Sequence, residues 1–189
     1  MKRNIVAITG GIGSGKSCVA EILRQMGFCV VYCDKLAAEV AREKDLLDQV
    51  CLLLGNDCVT NGELNRKVVR EKVFADDGLY LKYSNLFWER TKQRLLDEVN
   101  LAEQKTVFVE IPVISAFDFD WYEIWLVESA KEIRLQRVAL RDGVSAQNVL
   151  NIMSKQLDCE NFTRRIVNDG SLETLKKRVE CALQDAKLV

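Results

Sequence analysis

The sequence predicts an α/β fold, a three-layer sandwich in which helices cover both faces of a five-stranded parallel sheet, with a helical insertion and a helical lid attached. Three observations predict it. Five short apolar runs, at Ile5–Thr9, Phe28–Cys33, Thr106–Pro112, Glu123–Val127 and Arg165–Val167, read as strands. Helical periodicity lies between them, as right-handed βαβ crossovers require. From residue 44 to about residue 104 the strand-like runs vanish, and charged and apolar residues fall at helical spacing.

The first strand runs into Gly10-Gly11-Ile12-Gly13-Ser14-Gly15-Lys16-Ser17, which fits the phosphate-binding pattern G-x-x-x-x-G-K-[ST]. Glycines remove the Cβ atoms that would block close approach, so the backbone N–H groups of Gly11, Ile12, Gly13, Ser14 and Gly15 can turn inward around a polyphosphate. The helix at Ser17–Leu23 points its positive end at the same place. In such a P-loop Lys16 lies across the β- and γ-phosphates, and the Ser17 hydroxyl ligates the Mg²⁺ that bridges them.

Composition narrows the chemistry. The formal net charge of −1 offers no global field for nucleic acid or an acidic membrane surface. No apolar run is long enough to span a bilayer, and Met1-Lys2-Arg3 leads into a strand without a signal-peptide cleavage site. The expectation is a cytoplasmic protein, monomeric or weakly homo-oligomeric, with neither nucleic acid nor membrane as partner. Seven cysteines without a C-x-x-C pair read as reduced thiols packed as small hydrophobes. Histidine is absent, which removes imidazole bases, Ser-His and Cys-His pairs and histidine zinc sites. Carboxylates, lysine, arginine and a metal ion are left to do the chemistry.

Asp34 follows the second strand, at the carboxyl end of the sheet where ligands of such folds collect. Two readings are open and compatible. One is a carboxylate that orients an acceptor hydroxyl and takes its proton. The other is an N-cap for the helix Lys35–Ala41.

In the helical stretch, Leu79, Tyr83, Leu86 and Phe87 make an apolar stripe continued by Leu95, Leu96 and Val99, and Thr60-Asn61-Gly62-Glu63 signals a turn. Its aromatic residues Tyr80, Tyr83, Phe87 and Trp88 read as core or as a ligand platform, and Arg66 and Arg90 as solvated charges or anion-binding groups. Glu110 ends the next strand, either as the carboxylate on the metal side of the nucleotide or as a surface acid. Pro112 suits a strand end because it cannot donate to the ladder.

After the fourth strand come two charged helical stretches, Lys131–Arg141 and Ser145–Leu157, separated by the turn dipeptide Asp142-Gly143. Arg134, Arg137 and Arg141 share one helical face. That face is either solvated or part of a lid that neutralises a transferring phosphoryl group. Asn168-Asp169-Gly170 forms a turn, and Ser171 caps a last helix with a Leu172, Leu175, Val179, Leu183 stripe.

These parts fit a P-loop kinase-type sandwich. The core takes residues 1–43 and 105–189, including a lid at about 134–158, and the acceptor-binding insertion takes 44–104. No N-K-x-D or D-x-x-G sequence of a regulatory GTPase occurs.

Beyond these parts, the ordered set of motifs resembles the dephospho-coenzyme A kinase family over nearly the whole chain. It comprises Ile8 to Ser17, Asp34 with Ala37, Asn61 to Arg66 followed by Val73-Phe74, Glu110-Ile111-Pro112, Arg137 with Arg141-Asp142, Gln156, and Asn168 to Ser171. The resemblance implies ATP-dependent phosphorylation of the ribose 3′-hydroxyl of dephospho-coenzyme A, with Mg²⁺ on Ser17 and Glu110. It implies Asp34, Lys16 and Arg141 as catalytic residues, Arg137 and Asn168 beside the nucleotide, and Asp34, Arg66 and Pro112 beside the acceptor. The chain departs from the family with Tyr32-Cys33-Asp34 for D-A-D, with no His-Pro pair, and with no acid in Val113-Ile114-Ser115-Ala116. Another P-loop small-molecule kinase, or a non-catalytic nucleotide-binding relative, is the alternative reading.

Overall fold

The computed structural model describes residues 3–73, 76–117, 119–143, 145–154 and 159–188. Met1 and Lys2, Phe74 of the insertion motif, and Gln156 and Leu157 of the lid lie outside the described residues.

The chain divides into two compact units, Met1–Tyr32 with Leu101–Val189, and Cys33–Asn100. The first unit holds the five-stranded sheet. Its strands are β1 (Asn4–Thr9), and then, after helix α1 (Lys16–Gln25), β2 (Cys29–Tyr32). The second unit interrupts here with helices α2 (Cys33–Val40) and α3 (Lys44–Leu54), strands β3 (Val59–Thr60) and β4 (Glu63–Leu64), and helices α4 (Arg66–Val73) and α5 (Asp77–Leu101). The sheet resumes with β5 (Thr106–Glu110) and β6 (Glu123–Glu128), followed by helices α6 (Lys131–Asp142) and α7 (Ala146–Met153), strand β7 (Arg164–Val167) and helix α8 (Leu172–Asp185).

The strand order is β2-β5-β1-β6-β7, with every neighbouring pair parallel. This is the doubly wound sheet expected from the sequence. Successive residues of β1 and β5 are buried on both faces, which is why their sequences are continuous apolar runs and not alternating ones. On one face Val6, Ile8, Phe108, Trp125, Val127 and Ile166 pack against Val19 and Leu23 of α1 and against Leu175, Val179 and Leu183 of α8. Phe108 is the hinge of that cluster, edge-on to both Phe28 and Trp125 with ring centroids 5.2 Å away in each case.

Several expectations shift. Cys33 opens α2 and does not end the second strand, so Asp34 is the second residue of that helix and lies inside its first turn, not at the cap. Leu172 is 67% exposed, and the buried stripe of α8 is Leu175, Val179 and Leu183. Ser171 does cap α8, accepting from the Thr174 N–H.

The Cys33–Asn100 unit has its own core, built from Val40, Leu46, Val50, Leu54, Cys58, Val69 and Val73. Leu79, Tyr83, Leu86 and Phe87 pack on it, so two of the four aromatics serve packing, while Tyr80 is exposed. The turn at Asn61-Gly62 closes a small hairpin, β3 against β4, which the helical reading of this stretch missed. Both turn residues have positive φ, 54° and 78°, the Asn-Gly signature of a two-residue hairpin. Arg90 is no free anion site. With Arg94 it grips Glu43, at 3.1 and 2.8 Å, and the two guanidiniums, Arg94 foremost, hold that carboxyl below its usual range. Among the described residues no helix is long and apolar enough to cross a membrane.

Phe108→Ala should lower the unfolding free energy by about 3–5 kcal/mol, and Leu172→Ala should change it by no more than about 0.5 kcal/mol. Urea unfolding followed by tryptophan fluorescence checks both; equal effects would contradict this placement of the core.

Candidate active site

Between the end of β1 and the start of α1 the chain leaves the sheet and turns through left-handed backbone at Gly13 and Gly15, whose φ values are 75° and 96°. The sequence reading gave these glycines the task of making room for phosphates. The structure adds a second reason: a Cβ at Gly10 would strike the Val127 carbonyl, and one at Gly15 would strike the Asn168 amide. The loop is close-packed by the protein itself.

Its carbonyls are paired one after another. Lys16 Nζ donates to Gly10 O at 2.8 Å and to Gly11 O at 3.4 Å. Arg134 Nε donates to Ile12 O at 2.9 Å, Arg137 Nη1 reaches Gly13 O at 3.5 Å, and Asn168 Nδ2 donates to Ser14 O at 2.8 Å. In a planar trans peptide the N–H points opposite to the carbonyl. Carbonyls drawn toward α6 and the turn after β7 therefore aim the N–H groups of Gly13 and Gly15 the other way, which is the geometry of an anion-binding nest.

Ser17, in the first turn of α1, donates from Oγ to Glu110 Oε1 at 3.2 Å. Register produces this meeting: Ile8 of β1 lies opposite Glu110 of β5, so the acid ends its strand one row below the loop. Glu110 is buried, only 6% exposed, and Tyr32 sits beside it in the same row from β2. Burial, reinforced by the neighbouring Glu21 carboxylate, raises the Tyr32 phenol above its usual range. A hydroxyl and a carboxylate are hard oxygen donors that suit Mg²⁺, which takes few protein ligands and leaves its other positions to water and phosphate oxygens. Among the described residues no cluster of three or more His, Cys, Asp or Glu forms a self-sufficient metal cage. The pair Ser17 and Glu110 fits a metal that arrives with its nucleotide.

A second network backs the loop. Arg137 Nη1 donates to Ser129 Oγ at 2.8 Å and its Nη2 to Asn168 O at 3.0 Å, while Ser129 Oγ also donates to Asn168 O. Asn168 is 5% exposed, and its backbone N–H donates to Glu128 O at 2.7 Å. Arg141, one turn further along α6, instead faces solvent and forms a two-point pair with its neighbour Asp142, at 2.6 and 2.8 Å. That pairing raises the guanidinium and lowers the Asp142 carboxyl relative to their ordinary values.

The carboxyl ends of the strands open into a cavity of about 670 Å³. Gly10, Gly11 and Ser14 line it together with Pro112, Val113 and Phe162. Ser14 Oγ is buried and has no hydrogen-bond partner among the described residues, so a polar group of a ligand is its natural complement.

The structure thus brings Gly11 to Ser17, Glu110, Pro112, Arg137 and Asn168 into one unit. Asp34, exposed in the first turn of α2, and Arg66, exposed at the start of α4, belong to the Cys33–Asn100 unit. In the sequence Arg134 shares a helical face with Arg137 and Arg141, but the motifs single out only those two, and Ser129 belongs to no motif. The signals were present: Arg134 lies one helical turn before Arg137, and Ser129 follows the carboxyl end of β6.

Comparisons with known proteins place the chain among relatives over nearly its whole length. The dephospho-CoA kinase family model matches residues 4–173. Dephospho-CoA kinase of Thermus thermophilus is 32% identical over 189 residues, spanning 96% of this chain and 91% of its own length. Among solved structures, TT1252 from Thermus thermophilus is similar with a TM-score of 0.85 at 30% identity, covering 98% of both chains. Dephospho-CoA kinase from Campylobacter jejuni shares the fold, with a TM-score of 0.69 at 23% identity and coverage of 97% and 96%.

Asn168→Ala strands the buried Ser14 carbonyl and should lower the unfolding free energy by about 1–3 kcal/mol. The midpoint of urea denaturation without nucleotide reads this directly; an unchanged midpoint would show that the loop does not need the Asn168 amide.

Proposed function

The chain belongs to the dephospho-CoA kinase family, and from that premise we propose that it transfers the γ-phosphoryl group of ATP to the ribose 3′-hydroxyl of dephospho-coenzyme A, giving coenzyme A and ADP. The observation that carries the donor half is the Ser17–Glu110 bond, 3.2 Å, beside a loop whose carbonyls are turned toward protein donors. The identity of the acceptor rests on the family.

In this reading the nest N–H groups and Ser14 Oγ hold phosphate oxygens. Lys16 gives up its contacts with Gly10 O and Gly11 O to lie across the β- and γ-phosphates. Ser17 Oγ and Glu110 hold Mg²⁺, directly or through its water shell. When bound, that ion neutralises charge on the β- and γ-phosphate oxygens. Arg137 and Asn168 form the wall beside the nucleotide.

On the acceptor side, the exposed carboxylate of Asp34 orients the 3′-hydroxyl and accepts its proton as the phosphoryl group leaves ATP. Arg66 and Pro112 contact the acceptor. Arg141 exchanges Asp142 for the transferring phosphoryl group, which carries spread negative charge in the transition state. Residues 44–104 act as the acceptor-binding insertion and about 134–158 as the lid that excludes water. Seven cysteines that form no disulfide suit a reducing compartment, so we place the reaction in the cytoplasm.

ADP release and product mass across a panel of small alcohols test the assignment. Phosphorylation of dephospho-coenzyme A is expected, and its absence beside turnover of another acceptor would contradict it. Asp34→Asn should keep ATP affinity within about twofold and reduce kcat by about 10²–10⁴-fold, while Lys16→Ala should impair both nucleotide binding and rate. Full turnover in Asp34→Asn would leave the aspartate no part in proton transfer.

A further inference from the structure

We propose that Arg134 is a positioning residue for the phosphate-binding loop: by holding the Ile12 carbonyl it fixes the nest that grips the polyphosphate. The proposal rests on the reading of that loop as the nucleotide site.

Arg134 meets the loop with both side chain and main chain. Its Nε donates to Ile12 O at 2.9 Å. A Cβ at Gly11 would run into its guanidinium, and a Cβ at Gly13 would come within 2.8 Å of its backbone carbonyl. The residue therefore flanks Ile12 on both sides. It is half-buried in the first turn of α6, and its own N–H donates to Ala130 O at 3.0 Å. One turn later, buried Val138 closes on the same glycine, since a Cβ at Gly13 would also lie 2.8 Å from Val138 Cγ2. The start of α6 thus lies directly against the loop.

The physical need is clear. Gly13 and Gly15 lie in left-handed backbone, and fixing each loop residue costs conformational entropy. No neighbouring strand supplies hydrogen bonds to offset that cost. Consecutive side-chain clamps on Ile12, Gly13 and Ser14 do so before the ligand arrives, so binding does not have to order the loop. Arg134 holds the first of the three clamped carbonyls in chain order.

The test must separate a clamp from a nearby positive charge. Calorimetric titration of the full chain with ATP, with inorganic tripolyphosphate and with adenosine, at about 0.1 M and about 0.5 M KCl, does so because salt screens an exposed charge far more than it disturbs loop geometry. Arg134→Ala should lose about tenfold or more in affinity for ATP and tripolyphosphate at both salt levels, with adenosine affinity unchanged. Arg134→Lys keeps the charge without the planar fork and should lose about threefold, which decides the matter if the alanine variant does not fold. Unchanged tripolyphosphate affinity in the folded variants overturns the proposal, as does a loss that disappears at high salt or falls on adenosine. A wild-type chain that binds neither ATP nor tripolyphosphate overturns the nucleotide reading and the clamp with it; a wild type that binds both, beside unaltered variants, overturns the clamp alone.

Discussion

The residues between β1 and α1 must leave a sheet and enter a helix with no neighbouring strand to pair with, and each carbonyl from Gly10 to Ser14 is taken by a side-chain donor. Much of the first unit follows from that requirement. Helix α6 has to lie against the loop so that Arg134 and Arg137 reach it. The turn after β7 has to bring Asn168 underneath it, and the ends of β6 and β7 have to come close enough for Ser129 and Glu128 to hold Asn168 in place. Glycine is then required where a side chain would collide with these supports. The loop sequence answers to the packing around it as well as to its ligand.

Sheet register does the same for the pair Ser17 and Glu110. Glu110 and Ser17 are 93 residues apart, yet the parallel pairing of β1 with β5 sets the acid opposite Ile8, one short step from the helix that carries Ser17. A buried carboxylate is costly without partners. Here the hydroxyl of Ser17 donates to it, and the phenol of Tyr32 occupies the adjacent place in the row. Where the family motif carries a second acid, this chain places an uncharged ring, so Glu110 meets no like charge from β2.

The centre of the sheet was legible because β1 and β5 are buried on both faces, which leaves them continuous apolar runs. The P-loop was legible because its chemistry demands fixed residue types at fixed spacing. Boundaries were less so. Cys33 fits a buried strand as well as a first helical turn, and only the path of the chain decides. Leu172 falls on the spacing of the α8 stripe, but it is the helix's first residue and is exposed, and the buried stripe begins at Leu175. The β3–β4 hairpin carried its Asn-Gly signal, yet strands of two residues are too short for periodicity to register. Arg134, Arg137 and Arg141 share one helical face in the sequence, and the family's motifs single out only the last two. What separates them is the distance to the loop and, for Arg141, a neighbouring aspartate that offers a bidentate partner. The acceptor was legible only through the family's motifs, since no single residue of the helical stretch specifies a nucleoside.

Donor binding by the loop N–H groups, with Ser17 and Glu110 beside them, is what the proposed reaction depends on. A crystal structure with a non-hydrolysable ATP analogue and Mg²⁺ measures it most directly. Polyphosphate oxygens are expected on the Gly13 and Gly15 N–H groups, the ion on Ser17 Oγ and on Glu110 directly or through one water, and the Ile12 and Ser14 carbonyls still on Arg134 and Asn168. A nucleotide bound elsewhere, or a loop whose carbonyls have swung away from those partners to admit it, would contradict it.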